Sequence, residues 1–228
     1  MRTHDGVDVA RGTAPMDRRP IGLRSLGWVR AIAARLVRMG VKPNHISLLG
    51  VGFATLSAGC LFLVPAAGPT GRSILFIGAV IFIPFRGLCN LCDGLMAIEG
   101  GLRTNSGEIF NDLPDRVSDT VFLVAAGYSI PGVAWTHELG WLAALLAALT
   151  AYVRVLGAAA GAAQQFSGPM AKSQRMVVMG GACVAAALES ALGVAPGAIV
   201  GGLAVVAAGS AITIARRTAR VVRELEAR

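Results

Sequence analysis

The chain has 228 residues, of which 54% are hydrophobic and only 15% are charged, and its formal net charge is +8. This composition is too apolar for an ordinary water-soluble domain and predicts an all-α integral membrane protein. The positive charge is distributed around the apolar segments as in membrane proteins, so we expect no nucleic-acid partner.

The N-terminal region divides into two parts. Residues 1–21 lack an apolar stretch, so we expect a disordered cytoplasmic tail and no cleavable signal peptide. In residues 22–43, apolar side chains recur at helical spacing with arginines between them. This pattern predicts an amphipathic helix in the cytoplasmic membrane interface, followed by a turn. The alternative is an ordinary surface helix packed on the bundle.

Six apolar runs are long enough to cross a bilayer and form a membrane domain over 44–217, namely 46–67, 73–98, 107–130, 138–163, 174–191 and 195–216. Nine Lys and Arg residues precede the first run, five lie at or after the end of the sixth, and three lie in or beside the connections on the same side. Only Arg72 falls in a loop on the opposite side. The positive-inside rule therefore predicts a multi-pass protein of the cell inner (cytoplasmic) membrane, with cytoplasmic termini and a basic tail over 218–228.

The segment CNLCDG, residues 89–94, lies inside the second run and has two interpretations. Two cysteines at this spacing are typical of a redox pair or of half a metal site. A helix advances about 100° per residue, however, which places Cys89 and Cys92 off the face that carries Asn90 and Asp93. We therefore favour buried packing residues over a redox pair.

Polar side chains interrupt the second and third runs. Arg86, Asn90 and Asp93 share one helical face of the second run with Gly94 and Ala97. The third run begins with an acidic stripe that comprises Glu108, Asn111, Asp112, Asp115 and Asp119. Ionisable groups at membrane depth are costly and mark functional sites. Because a short loop joins the two runs, we expect adjacent helices that form an oxygen-rich pocket open to the cytosol.

Such a pocket suits a hard divalent cation, Mg²⁺ or Mn²⁺, that neutralises a substrate phosphate. Gly94 and Ala97 would let a phosphate or a ribose approach the backbone. The alternative is a purely structural cluster of ion pairs, such as Arg86 with Asp93 or Arg116 with Asp112.

The spacing of these residues resembles the signature of the CDP-alcohol phosphatidyltransferases, which is Asp-x2-Asp-Gly-x2-Ala-Arg, eight residues, then Gly-x3-Asp-x3-Asp. The chain has seven positions in register, namely Asn90, Asp93, Gly94, Ala97, Gly107, Asn111 and Asp115. The family comprises six-helix membrane enzymes that use a metal ion to displace CMP from a CDP-linked donor by an alcohol. The resemblance covers most of the chain from about residue 40, including KPNHIS before the first run.

The chain departs from this signature at three positions. Asn90 and Asn111 replace the first and third aspartates, and Ile98 replaces the arginine. A divergent bacterial membrane subgroup has a similar Asn pattern and a similar later GPxxKSxR segment. The loss of two charges favours one tightly held ion over the family's two.

The resemblance also implies roles for single residues. Asn90, Asp93 and Asn111 would hold the metal and the diphosphate, with Asp112 as a displaced carboxylate. Asp115 would be the base that deprotonates the acceptor alcohol. The nucleotide and its phosphates would lie against Gly94, Ala97 and Gly107.

Three cations lie near these runs. Lys172 and Arg175, at the cytoplasmic start of the fifth run, would bind the lipid phosphate or the polar end of the acceptor, or would serve only the positive-inside topology. Arg154 in the fourth run is expected to pair with an acid that the sequence does not identify, and Asp119 is one candidate. Small residues in the last two runs predict tight helix packing or a homodimer contact like the family's.

The resemblance implies a phospholipid-biosynthetic transferase that moves a phosphatidyl group from CDP-diacylglycerol to an alcohol acceptor and releases CMP. One alternative is headgroup transfer from a soluble CDP-alcohol to a lipid alcohol. Another is a catalytically inactive relative that binds nucleotide or lipid, because two motif aspartates and the arginine are absent. A transporter is disfavoured, since the acids cluster at one end of the bundle and no inverted repeat is evident.

Overall fold

The structure, a computed structural model, describes residues 27–102, 104 and 106–228, except for the side chain of Glu108. Within these residues we find seven α-helices, a short 3₁₀ helix at Val64–Ala66 and no β-strand. The helices are α1 (Gly27–Arg38), α2 (Pro43–Leu63), α3 (Pro69–Ile98), α4 (Gly107–Tyr128), α5 (Trp135–Ala159), α6 (Lys172–Ala191) and α7 (Gly197–Glu226). The predicted N-terminal tail, residues 22–26 and Arg103 lie outside the described residues.

Six of these helices coincide with the six predicted apolar runs, with boundaries displaced by a few residues. Proline stands at the first position of α2 and of α3, where its missing N–H is not needed. The largest difference is at α7, which continues to Glu226 and so includes most of the predicted basic tail. The added residues are mainly Ala, Arg, Val, Glu and Leu, and most of these favour helix.

Within the described part of the chain, four segments are long and apolar enough to cross a membrane, by length and composition: Pro43–Ala66, α3, α5 and α7. The helices α4 and α6 are not among these four segments; α4 carries four charged residues between Asp112 and Asp119, and α6 carries Lys172, Arg175 and Glu189. Large apolar side chains are exposed on the outer faces of several helices, for example Leu48, Ile74, Leu145 and Val205. In water such a surface would be a liability, whereas lipid would cover it. The span count of six stays a prediction.

Helix α1 packs on the end of α3 through an apolar face. Val29 and Ala33 are buried in a small cluster with Leu95 and Met96 of α3. Trp28 and Met39 are exposed. That this helix is amphipathic and lies in the membrane interface stays a prediction.

The same cluster contains Cys89 and Cys92. Both thiols are free, and both side chains are buried against apolar neighbours. A β-carbon added to Gly50 of α2 would lie only 3.3 Å from the Cβ of Cys89, so the two helices pack closely here. This burial agrees with the packing interpretation of CxxC.

Helix α2 packs against both α3 and α4. The helices α3 and α4 meet mainly through polar side chains instead of through a broad apolar contact. By contrast, α4 and α5 cross almost backbone to backbone, because a β-carbon on Gly127 would lie 2.5 Å from the carbonyl oxygen of Thr136 and 2.9 Å from Cα of Gly140. The predicted polar faces of α3 and α4 therefore meet, with α2 as a third wall.

Candidate active site

A polar cleft lies between α2, α3 and α4. Its lining residues are Ser47 and Gly50 from α2, Arg86, Asn90 and Asp93 from α3, and Phe110, Asn111, Pro114, Asp115 and Ser118 from α4. The cleft encloses about 220 Å³, including space open to solvent. Four predicted site residues, Asn90, Asp93, Asn111 and Asp115, are thus brought together in one place.

Asp93 is the most enclosed carboxylate of the cleft lining, with 4% of its surface exposed. The hydroxyl of Ser47 donates a hydrogen bond of 2.6 Å to Oδ2. The other oxygen, Oδ1, is buried without a hydrogen-bond partner among the described residues. A buried carboxylate oxygen left open in this way costs free energy unless a ligand uses it. Asp93 is therefore ready to bind a cation or a proton donor.

Asn90 links Asp93's helix to Asp115 on α4. The amide nitrogen of Asn90 lies 3.2 Å from Oδ1 and 3.3 Å from Oδ2 of Asp115, to which it donates. This contact uses the NH₂ group, so the amide oxygen stays available for another partner. Asn111 is exposed and lines the same cleft.

Asp115 is surrounded by cations. Its carboxylate forms an ion pair with Nζ of Lys172, and lies 3.3 Å from Nη2 of Arg86 and 3.9 Å from Nη2 of Arg116. Lys172 is the first residue of α6, so this pair joins α6 to the cleft. The negative charge of Asp115 is thus already compensated by protein cations.

Below the cleft lies a buried charge network centred on Asp119, which is 3% exposed. Its Oδ1 accepts from Arg86 at 2.9 Å, and its Oδ2 accepts from Arg175 at 2.7 Å. Arg175 is 1% exposed and also donates to the carbonyl oxygen of Met170 and to the hydroxyl of Thr150. The expectation that Arg86 pairs with Asp93 is therefore wrong, because Arg86 reaches across to α4.

Arg154 pairs with an acid, as expected, but its partner is not the candidate Asp119. Arg154 donates to Asp112 at 2.6 Å and to Gln164 at 3.2 Å, since Asp119 is occupied by two other guanidinium groups. Asp112 also lies 3.7 Å from Arg116, as the alternative of a structural pair predicted. Its carboxylate is not part of the cleft lining. A metal-binding role for Asp112 stays a prediction.

The remaining predicted binding residues lie around the cleft instead of in its lining. Gly94, Ala97 and Gly107 are partly buried. The guanidinium of Arg175 is buried, and both of its Nη atoms are hydrogen-bonded inside the bundle, so Arg175 contacts Asp119 and not the cleft lining. The side chain of Lys172 is 24% exposed, but its Nζ is buried at the ion pair with Asp115. Ligand binding by these residues stays a prediction.

Helix α7 holds the loop that precedes Lys172. Arg217 donates to the carbonyl oxygens of Phe166, Ser167 and Thr150, and Thr213 accepts from the backbone N–H of Met170. These bonds tie the loop between α5 and α6 to the last helix. The position of Lys172 at the cleft therefore depends on α7.

Ser47 is a site residue that no sequence argument singled out. A serine in an apolar helix is common, and its role depends on a contact 46 residues away in the chain. Its place in the segment KPNHIS, which contributes to the family resemblance, was the available signal. Ser118, which also lines the cleft, carried no such signal.

The donor set of the cleft suits a hard cation better than a soft one. The available donors are the open carboxylate oxygen of Asp93 and the amide oxygens of Asn90 and Asn111, which are the oxygen ligands that Mg²⁺ and Mn²⁺ prefer. No group of three or more His, Cys, Asp or Glu side chains suited to a metal ion occurs in the described residues. Asparagine in place of two aspartates accounts for this difference from an all-carboxylate site.

No family model matches the chain. The chain is 28% identical over 145 residues to the inner membrane protein YnbA of Escherichia coli strain K12, which covers 64% of this chain and 68% of that protein. It is 31% identical over 111 residues to the phosphatidylinositol phosphate synthase of Mycolicibacterium smegmatis. The second match covers 49% of this chain and 43% of that enzyme, so it spans less than half of either protein.

Solved structures of the Mycobacterium tuberculosis phosphatidylinositol phosphate synthase are similar over nearly the whole chain. The complex with manganese and citrate has a TM-score of 0.66 at 21% identity and covers 85% of this chain and 88% of that one. The structure with CDP-DAG bound has a TM-score of 0.65 at 20% identity and covers 86% and 92%. At this identity the likeness shows a shared fold. The predicted resemblance to the fold of CDP-alcohol phosphatidyltransferases is thereby confirmed.

Proposed function

We propose that the chain is a membrane-embedded phosphotransferase that moves a phosphatidyl group from CDP-diacylglycerol to an alcohol and releases CMP. The observation that carries this proposal is the cleft in which Asp93, with its open buried oxygen, lies near Asp115. The shared fold with an enzyme crystallised with CDP-DAG and, separately, with manganese supports it. CDP-diacylglycerol, an alcohol and membrane lipids are the proposed partners.

Asp93, Asn90 and Asn111 would hold a divalent cation, Mg²⁺ or Mn²⁺. When bound, this ion would neutralise the diphosphate and the charge that develops on the departing CMP. Ser47 would keep the Asp93 carboxylate oriented, because its hydroxyl donates to Oδ2 and leaves Oδ1 for the cation.

Asp115 would accept the proton of the acceptor alcohol. The alcohol oxygen forms a bond to the phosphorus of the phosphatidyl group as the bond from that phosphorus to the CMP oxygen breaks, and the proton goes to the Asp115 carboxylate. Asn90 and Arg86 hold this carboxylate from the α3 side. Lys172 pairs with the same carboxylate from α6, and from this position its ammonium group would also face a substrate phosphate.

The test is release of radiolabelled CMP by the purified protein, with CDP-diacylglycerol in mixed micelles, Mg²⁺ or Mn²⁺ and a panel of soluble alcohols. We expect metal-dependent release with at least one alcohol. Release only from a soluble CDP-alcohol in the presence of a lipid alcohol would instead establish headgroup transfer. Binding of nucleotide with no transfer to any acceptor would identify a catalytically inactive relative.

We also propose that all six long helices cross the inner membrane, with both termini and the cleft on the cytoplasmic side, and that two copies of the chain associate. The charge distribution supports the orientation, because Arg72, near the start of α3, is the only Lys or Arg at the proposed outer ends of the six helices. The α4–α5 loop would then lie outside the cell.

A cysteine at Ala134 is expected to react with a membrane-impermeant maleimide in cells whose outer membrane has been made permeable and whose inner membrane is intact. Ala134 is exposed in the α4–α5 loop, whereas its neighbour Thr136 is buried and unsuitable. The four native cysteines are replaced first, and a cysteine at Arg38 provides the cytoplasmic control. Labelling of the Ala134→Cys variant only after the inner membrane is permeabilised would reverse the orientation.

A further inference from the structure

The two carboxylates that line the cleft differ in how their charge is compensated. Asp115 faces three protein cations, Lys172, Arg86 and Arg116. Asp93 accepts a neutral hydrogen bond from Ser47, and its Oδ1 is buried without a hydrogen-bond partner among the described residues. A divalent cation therefore gains little at Asp115, where it would have to approach three positive groups, and gains most at Asp93.

The charged side chains in and around the cleft nearly balance one another, so the lack of a compensating positive charge is confined to Asp93. Apart from Glu108, whose side chain is not described, the cations exceed the carboxylates by one: Arg86, Arg116, Arg154, Lys172 and Arg175 against Asp93, Asp112, Asp115 and Asp119. The group of side chains as a whole needs no added cation for neutrality. The position beside Oδ1 of Asp93 is where an added cation would compensate a charge.

We infer that the ammonium group of Lys172 supplies at Asp115 the positive charge that a second metal ion would supply, so that the cleft takes a single divalent cation, held at Asp93. This inference rests on the proposed function and specifies its metal requirement. Asn90 supports the arrangement, because its NH₂ group donates to Asp115 where an aspartate would add a repelling charge.

The test is Mn²⁺ binding, followed by electron paramagnetic resonance of the free ion during titration of the purified protein in detergent, without nucleotide or lipid substrate. We expect one Mn²⁺ per wild-type chain and loss of that site in the Asp93→Asn variant. The Lys172→Gln variant should bind Mn²⁺ about tenfold more tightly, because a neighbouring positive charge is gone. Lys172→Arg, which keeps the charge, should bind as the wild type does.

The chain offers a matched control, because Lys42 is its only other lysine and is exposed at the start of α2. Lys42→Gln removes the same charge outside the cleft and should leave Mn²⁺ binding unchanged. Asn90→Asp is a second, independent variant, since a carboxylate about 3.2 Å from Asp115 needs a cation between the two. We expect it to bind two Mn²⁺ ions.

Two Mn²⁺ ions, or none, bound by the wild type would overturn the inference even if Lys172→Gln failed to fold. An unchanged affinity in a folded Lys172→Gln variant would also overturn it, as would equal effects of Lys172→Gln and Lys42→Gln. The readout does not involve turnover. A protein that binds one Mn²⁺ and releases no CMP would therefore refute the proposed function and leave this inference intact.

Discussion

Replacement of Asp115 by Asn is expected to lower CMP release by about 10²–10⁴-fold, the usual contribution of a general base. Asparagine keeps the size of the side chain but cannot accept the proton of the alcohol. The side chain of Asp115 is 13% exposed, so water is a poor substitute for it. The measurement is the initial rate of radiolabelled CMP release at saturating CDP-diacylglycerol.

The control for this variant is Glu138→Gln, which neutralises an exposed carboxylate in the first turn of α5. Its rate should stay close to that of the wild type. Binding of CDP-diacylglycerol should survive in Asp115→Asn, since the proposed metal ligands Asp93, Asn90 and Asn111 are intact. Comparable rates for the wild type and Asp115→Asn would remove the assignment of Asp115 as the base.

Replacement of Asp119 by Asn is expected to lower the free energy of unfolding by about 3–5 kcal/mol, the usual cost of removing one partner of a buried ion pair. Asp119 accepts from Arg86 on one oxygen and from Arg175 on the other, and all three side chains are buried. Without the carboxylate, two guanidinium groups would face each other with no anion between them. Equilibrium unfolding in mixed micelles measures the change.

Asp112→Asn provides the matched control, because Asp112 lies on the same helix and also accepts from an arginine, but 33% of its side chain is exposed. Water screens this partly exposed pair, so its effect should be clearly smaller than that of Asp119→Asn. The double variant Asp119→Asn with Arg175→Gln should lose less stability than the two single variants together, since one unpaired charge is removed. If Asp119→Asn is no more destabilising than Asp112→Asn, Asp119 does not hold the two arginines in the bundle.

Much of the helical architecture and of the cleft was predictable from local pattern. Long apolar runs predicted the six long helices, because a helix satisfies its own backbone hydrogen bonds. The helical period placed Arg86, Asn90 and Asp93 on one face, and their opposition to Asp115 followed from the length of the loop. The agreement over α7 was weaker, since its last ten residues form helix by propensity without being apolar.

The pairing of the charges was not predictable in the same way. Arg154 bonds to Asp112 and Arg86 bonds to Asp119, against expectation, because each arginine is long enough to reach several carboxylates. Which one it meets depends on how α3, α4 and α5 are rotated and displaced relative to one another. The helical period specifies on which face of its own helix a residue lies, but it does not specify how neighbouring helices are rotated or displaced relative to one another.

The amino-acid sequence by itself therefore determined the helical class, the long helices and the residue types that meet at the cleft, because these depend on hydropathy and period within single segments. Only the tertiary structure decided that Ser47 holds Asp93, that Asp115 is compensated by Lys172, and that Arg175 lies buried against Asp119. Each of these contacts joins residues of different helices. Their geometry is set by the packing of the whole bundle, where a displacement of one helix turn exchanges one charge partner for another.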